Sequence, residues 1–323
     1  MDDTSQHCPI CSTLLRPTGE RYTVDQLFVM WKPVHFSEAT VREHRQQSDS
    51  TGLYRCPGCE LEIFLPQIIA TPQFYVEAYN LDGSQSESDF TYSESKWDFD
   101  TALQDARGLH SILEVGCGPG HFLDQVAKVA DDVVGVEFNR TALETARARG
   151  HAVVDALGTL EQAKGSFDAV FSFHVLEHVR NPLEFLREIS GWVKPGGIVG
   201  ISLPNRGGPI RFIQPCIQDM PPHHATRWRK KTFEVLARRL GWGIRRLTLE
   251  PLTAASAYYY TTYLGPYLFP AQTPLHAVGR RVCARILPVA FQKMFRVLHL
   301  LGSDSTGMFN GQAMYVAFRI PGG

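Results

Sequence analysis

Cys8-Pro-Ile-Cys11 and Cys56-Pro-Gly-Cys59 are two C-x2-C pairs, and together they supply the four thiolates of a closed tetrahedral zinc site. Four sulfurs leave no coordination position for water, so the role expected of such a metal is structural. The other three of the seven cysteines, Cys117, Cys216 and Cys283, are scattered. Paired spacing of this kind, in a chain read as cytoplasmic, favours metal over disulfides.

A second chemical signal is ILEVGCGPG, Ile112–Gly120, at a predicted strand-to-helix bend. Glycines at 116, 118 and 120 let the backbone turn sharply and approach a ligand. The helix beginning beyond them offers free N–H groups and a partial positive charge. A dinucleotide fingerprint would need its third glycine at position 121, where this chain has His121, so the spacing speaks against NAD. Glu137, 19 residues beyond Gly118, closes the next predicted strand, where a carboxylate can accept both hydroxyls of a ribose. Asp155, at the end of the third strand, can meet an adenine amino group or simply form a turn.

Two segments offer a base. His174 is followed by Glu177 and His178 after the fourth strand, and His223 and His224 lie in PPHH after the fifth. Both segments follow carboxyl ends of strands, the side on which doubly wound sheets bind ligands. A histidine near neutrality suits removal of a hydroxyl proton. Glu177 and His178 read as helix-opening residues. The pair His223/His224, stiffened by two prolines and followed by Trp228, is favoured as the source of the base.

The elements that must hold these groups alternate regularly. Strands are predicted at Ser111–Val115, Val133–Glu137, His151–Val154, Phe167–Phe173, Ile198–Leu203 and Gly243–Leu249. Helices are predicted at Trp97–Arg107, His121–Ala130, Arg140–Arg149, Pro182–Trp192 and Lys231–Leu240. Near-continuous apolar strands between amphipathic helices imply an α/β fold, a doubly wound and mostly parallel sheet covered on both faces. Residues 1–75 form a cysteine module, 76–100 a polar linker containing DGSQSESDFTYSES, and 101–323 the main domain. Within the last, 251–311 read as a helical insertion before a final β-like stretch, Gln312–Ile320. The amphipathic segment Val289–Leu301 is read as a lid, with docking on a membrane surface as the weaker alternative.

The formal net charge is −1, yet Arg206 to Ser303 carry 15 Lys and Arg against three acids. A basic C-terminal half suits an anionic acceptor such as a nucleotide sugar, a nucleic acid or a membrane surface. No apolar run of 18 residues occurs and the first residues lack a signal peptide's basic and apolar regions, so a cytoplasmic location is expected.

LEVGCGPG, VVGVEFN (Val133–Asn139), FDAVFSFHVLEHVRNP (Phe167–Pro182) and WVKPGGIVGISLPN (Trp192–Asn205) resemble, in order and spacing, motifs of class I S-adenosylmethionine-dependent methyltransferases. The resemblance covers about residues 97–250 and implies a Rossmann-like fold with S-adenosylmethionine as cofactor. It implies that Gly116, Gly118 and Gly120 surround the methionine part, with Glu114 in the same cofactor-binding set. Glu137 would hold the ribose, Asp155 and Ala156 would flank the adenine, and Phe173 and His174 would lie beside the sulfonium. PPHHATRW also resembles a motif after the fifth strand in one branch of that family. A zinc ribbon ahead of this domain resembles bacterial sugar and glycan methyltransferases. The long additional C-terminal domain of the deoxysugar C-methyltransferases is lacking, which favours O-methylation of a sugar, glycan precursor or small metabolite. An RNA acceptor gripped by Arg227–Lys231 and a non-catalytic S-adenosylmethionine-binding protein are the competing readings.

Overall fold

The computed structural model describes residues 6–32, 34–79, 96–213, 215–252, 256, 259–260, 263 and 310–322. The amphipathic segment Val289–Leu301 and most of the polar linker lie outside these residues.

The main sheet has seven strands: β4 (Ser111–Val115), β5 (Asp132–Val136), β6 (Ala152–Val154), β7 (Phe167–Phe173), β8 (Val193–Pro204), β10 (Gly243–Leu249) and β11 (Ala313–Arg319). Their spatial order is β10-β11-β8-β7-β4-β5-β6. The pairs among β8, β7, β4, β5 and β6 are parallel, whereas β11 runs antiparallel to both β8 and β10. Chain order would have put β10 beside β8, but the two strands differ in what they can bury. Met314 to Phe318 are buried without exception, while β10 carries Arg245 and Arg246 and is half-exposed. The wholly apolar strand takes the interior position and the charged one takes the edge.

Alternation along the strands divides the core into two layers. Ile112, Phe171, Phe173 and Tyr315 face helices α4 (Trp97–Ala106) and α5 (His121–Val126), meeting Phe99, Ala102, Phe122 and Val126. Leu113, Val115, Val170 and Val199 face the other side. There they meet Leu186 and Ile189 of α7 (Pro182–Ser190) and Phe233 and Leu236 of α8 (Lys230–Leu240). Helix α6 (Arg140–Ala148) packs Leu143 and Ala146 on Val153 and Leu123. Helix α4 begins at Trp97, so its first turn belongs with the sheet rather than with the linker expected over 76–100.

The cysteine module builds a second sheet from β1 (Arg16–Thr23), β2 (Ser50–Arg55) and β3 (Glu62–Leu65), antiparallel throughout. Its fourth strand is β9, Thr226–Arg227, which belongs in sequence to the main domain and pairs with Glu62 and Ile63. Helices α1 (Val24–Met30), α2 (Glu38–Gln47) and α3 (Pro72–Tyr79) enclose an aromatic core of Phe28, Trp31 and Phe74. The joint between the units is ionic and buried. Glu62 meets Arg206 at 3.0 Å and Arg229 at 3.2 Å, and Asp219 meets Arg227 at 3.1 Å. Burial alone would raise the Glu62 pKa, but the guanidiniums of Arg206, Arg227 and Arg229 hold it below the ordinary carboxylate range. Arg227 also lies over the Phe64 ring, 4.8 Å from its centroid.

Candidate functional site

The glycine bend lies at the carboxyl end of β4. Gly116, Gly118 and Gly120 all have φ in the left-handed region, at 79°, 53° and 89°. At Gly116 a side chain would also collide with Val175, so the bend and the segment after β7 are in direct contact. The amides of Gly116 and Cys117 donate to Val136 O, which ties the bend to the tip of β5.

Glu137 stands one residue beyond that tip and turns toward the bend. It is 5% exposed, and its carboxylate accepts from Gly118 N at 2.8 Å and Asn139 N at 2.7 Å. Burial pushes its pKa up despite these two amides. Glu114, at 2% exposure, points to the same side, and its Oε2 has no hydrogen-bond partner. Burial and then the neighbouring Glu137 push its pKa well above the usual carboxylate range. Among the described residues no Lys or Arg forms an ion pair with either acid. A buried pair of acids with an orphaned oxygen fits a ligand that brings hydroxyls and a positive charge, as the α-ammonium of S-adenosylmethionine would.

Phe138, beside Glu137, is 67% exposed and offers an apolar ring face next to the carboxylate. Sequence reasoning passed over it, since only its exposure distinguishes it from a core phenylalanine. Asp155 and Ala156 follow β6 and are both exposed. Phe173, expected beside the sulfonium, is the last residue of β7. It is buried against Phe99 and Phe122, with ring centroids 4.8 Å and 4.7 Å away, because alternation along β7 turns it into the α4–α5 layer.

His174 follows β7 directly, with φ 55°, a strained conformation for a non-glycine residue. Its Nε2 meets Asp98 Oδ2 at 3.1 Å and its Nδ1 meets Glu177 Oε1 at 3.5 Å. Burial opposes a charge here, but Asp98 and Glu177 raise the His174 pKa to about 9. It is therefore held as a cation at neutral pH, clamped on both sides, which suits orientation better than proton uptake. Asp98 was not singled out from the sequence. It sits in the first turn of α4, 2% exposed, and also accepts from Ser202 Oγ at 2.6 Å.

The two histidine segments meet. The amides of Ala225 and Thr226 donate to the Glu177 carbonyl, and His178 Nδ1 bonds the His223 carbonyl at 2.6 Å. The His223 and His224 rings stack 4.4 Å apart, and His178 lies 4.7 Å from each. Burial first, and then the neighbouring imidazoles, hold His223 and His224 well below the ordinary histidine pKa, so both are neutral at pH 7. The cysteine module completes this wall. Tyr75 of α3 places its hydroxyl 3.1 Å from His178 Nδ1, and the Trp31 ring meets His223 edge-on at 5.7 Å.

In the cysteine module Cys8 Sγ lies 3.5 Å from Cys59 Sγ, and Cys11 Sγ 3.3 Å from Cys56 Sγ. Tetrahedral zinc–thiolate bonds of ~2.3 Å put sulfurs about 3.8 Å apart, so the four thiols fit that ion with small adjustment. Arg227 and Arg229, expected to grip phosphates in the RNA reading, are instead engaged by Glu62 and Asp219. No helix of the described residues is long and apolar enough to cross a membrane.

Comparison with known proteins bears on the glycine end of this site. Residues 113–201 match the family model described as a methyltransferase domain. Over 98 residues the chain is 35% identical to a Mycolicibacterium smegmatis protein named "Probable S-adenosylmethionine-dependent methyltransferase", covering 29% of this chain and 38% of that protein. It is 35% identical over 114 residues to the ubiquinone biosynthesis O-methyltransferase of Aliivibrio fischeri, covering 32% of this chain and 49% of that one. The chain thus spans about half or less of the length of these curated relatives. A crystal structure of a SAM-dependent methyltransferase from Archaeoglobus fulgidus superposes with a TM-score of 0.45 and 18% identity, over 68% of this chain and 90% of that one.

Proposed function

We propose that this chain, whose residues 113–201 match the family model of a methyltransferase domain, transfers a methyl group from S-adenosylmethionine to a hydroxyl of a sugar, glycan precursor or similar small metabolite. The observation that carries the reading is Glu137, whose carboxylate is held against Gly118 N at the mouth of the glycine bend. When bound, S-adenosylmethionine supplies an electrophilic methyl on a sulfonium. The free lone pairs of Glu137 accept the ribose hydroxyls while the oxygens keep their two amides. Glu114 takes the cationic amine, Phe138 and Asp155–Ala156 flank the adenine, and the amides after Gly120 face the negative end of the ligand.

The acceptor side is the histidine wall. Methyl transfer is an in-line displacement, so alignment of the hydroxyl dominates, and loss of its proton is the second requirement. His223 and His224 supply neutral imidazoles for that proton, and the His174 cation between Asp98 and Glu177 fixes the turn that presents them. An anionic portion of the acceptor finds arginines nearby. A cavity of about 310 Å³ presents Arg55 and Arg211 there, beside Arg206 and Arg229, which Glu62 already neutralises. Asp219 links it to the wall, meeting Arg206 Nη1 and His224 Nδ1 at 3.4 Å each. The four cysteines hold structural zinc.

The test is incubation with methyl-labelled S-adenosylmethionine and a panel of nucleotide sugars, read by mass spectrometry. The expected result is a labelled sugar and stoichiometric S-adenosylhomocysteine. Labelling of RNA with no sugar modified overturns the acceptor class, and failure to bind S-adenosylhomocysteine by calorimetry overturns the enzyme itself.

A further inference from the structure

The histidine wall has the composition and the surroundings of a metal site. One ring nitrogen from each of His178, His223 and His224 lies within 4.8 Å of the other two. Each ring is oriented through Nδ1, by His223 O at 2.6 Å, Gln218 O at 2.8 Å and Asp219 Oδ1 at 3.4 Å respectively. A ring that donates from Nδ1 presents Nε2 as its donor atom to a metal. Outer carbonyls and carboxylates of this kind orient metal-ligating histidines in general.

A second observation is independent of the rings. Glu177 has a 2% exposed side chain, and neither carboxylate oxygen has a hydrogen-bond partner. Its Oε1 lies 3.9 Å from His224 Nε2 and 4.0 Å from His178 Nε2. These separations are too long for hydrogen bonds and suit groups that share an ion between them. Its one closer ionic contact is His174, at 3.5 Å. With His174 on one side, the Glu177 carboxylate still turns two unbonded oxygens toward the imidazole cluster, a donor set that an ion would complete.

We propose that His178, His223 and His224, with Glu177 as fourth donor, bind a divalent transition-metal ion at the acceptor end of the site. Three imidazoles and one carboxylate select zinc or a neighbouring first-row ion over magnesium or calcium. His178 keeps 21% of its side chain exposed, which leaves the open flank on which an acceptor oxygen can join the coordination sphere. The role of the ion rests on the methyl-transfer reading above. In that role the ion would replace His223 and His224 as the means of deprotonation, because their lone pairs would bind it, and a hydroxyl held on the ion would release its proton to water. Its oxygen lone pair forms the new C–O bond while the S–CH3 bond breaks. That electron pair stays on sulfur, leaving the neutral thioether of S-adenosylhomocysteine.

The experiment is Co2+ titration of the full-length, zinc-loaded chain, followed by visible absorption and metal analysis. The expected result is one added equivalent of cobalt, with weak ligand-field bands and no thiolate charge transfer. His223→Gln should abolish it. Glu177→Gln should weaken it by at least about tenfold, with one zinc retained in the cysteine set of both variants. Absence of the added equivalent, or cobalt carrying only the thiolate signature, overturns the proposal, and so does unchanged binding in both variants. S-adenosylhomocysteine calorimetry on the same samples separates the two readings. Cofactor binding without cobalt binding removes the metal and leaves methyl transfer in place. Cobalt binding without cofactor binding removes methyl transfer and leaves the metal site.

Discussion

Two groups of buried acids in this molecule look alike by accessibility and differ in company. Glu62 and Asp219, at the joint of the two units, are surrounded by Arg206, Arg227 and Arg229. Glu114 and Glu137, at the glycine bend, have no ion-paired cation among the described residues and crowd each other. The first group is complete without a ligand, and the second is not. Charge neutralised within the chain marks a structural joint, whereas charge left for a visitor marks a binding site.

The sharpest way to break that distinction is at the joint. Glu62→Ala leaves three arginines facing one remaining acid, and unfolding in urea should show a loss of about 3–5 kcal/mol. A loss no larger than that of a surface substitution would mean the joint is not neutralised as described. At the bend the expectation is reversed in kind. Glu137→Ala should leave folding nearly unchanged but weaken S-adenosylhomocysteine binding by about 1–3 kcal/mol, read by calorimetry. Unchanged affinity would place the cofactor elsewhere.

The pH dependence separates Glu62 from the acids at the bend, whereas burial raises Asp219 as it raises them, despite its arginines. Glu62 is held below its unfolded pKa, so its contribution is present above the ordinary carboxylate range and disappears as pH falls through the folded value. Glu114 and Glu137 are held above theirs. The protein is therefore best off with them in acid, and stability drains as pH rises from the ordinary carboxylate range toward their folded values. Glu62→Gln should flatten the acid limb of a Tm-against-pH curve. Glu114→Gln should flatten the upper limb and raise the Tm of the ligand-free protein at pH 7, a gain of about 1 kcal/mol. A fall in Tm for Glu114→Gln would show that this acid is already satisfied. The smallest expected effect is calorimetric. Binding of a cationic ligand beside Glu114 should release a fraction of a proton, seen as a heat that varies with the buffer's ionisation enthalpy.

The sheet was legible because its strands are apolar without interruption and its helices are amphipathic, patterns that report burial directly. β4, β7 and β10 have the predicted bounds, and the other strands and the helices shift at their ends, as α5 does in stopping at Val126. The order β10-β11-β8 was not legible, since pairing across the 63 residues between Leu249 and Ala313 leaves no local trace. In the site, glycines and Glu137 announced themselves by type and spacing. Asp98 did not, because an acid in the first turn of a helix reads as a dipole partner, and only tertiary contact reveals that it grips His174 and Ser202. Nor could spacing show that His178 and the PPHH segment form one cluster, or that Tyr75 and Trp31 of the cysteine module wall it.

The strand Thr226–Arg227, which the main domain contributes to the sheet of the cysteine module, bears on how this scaffold can be re-engineered. Residues 221–229 cannot be exchanged as a loop, because they are also an edge of another unit's sheet and the seat of its arginine cluster. A chimera that grafts this histidine wall onto a different scaffold has to carry residues 6–79 with it. The wall is a two-piece unit, distant in sequence and inseparable in space.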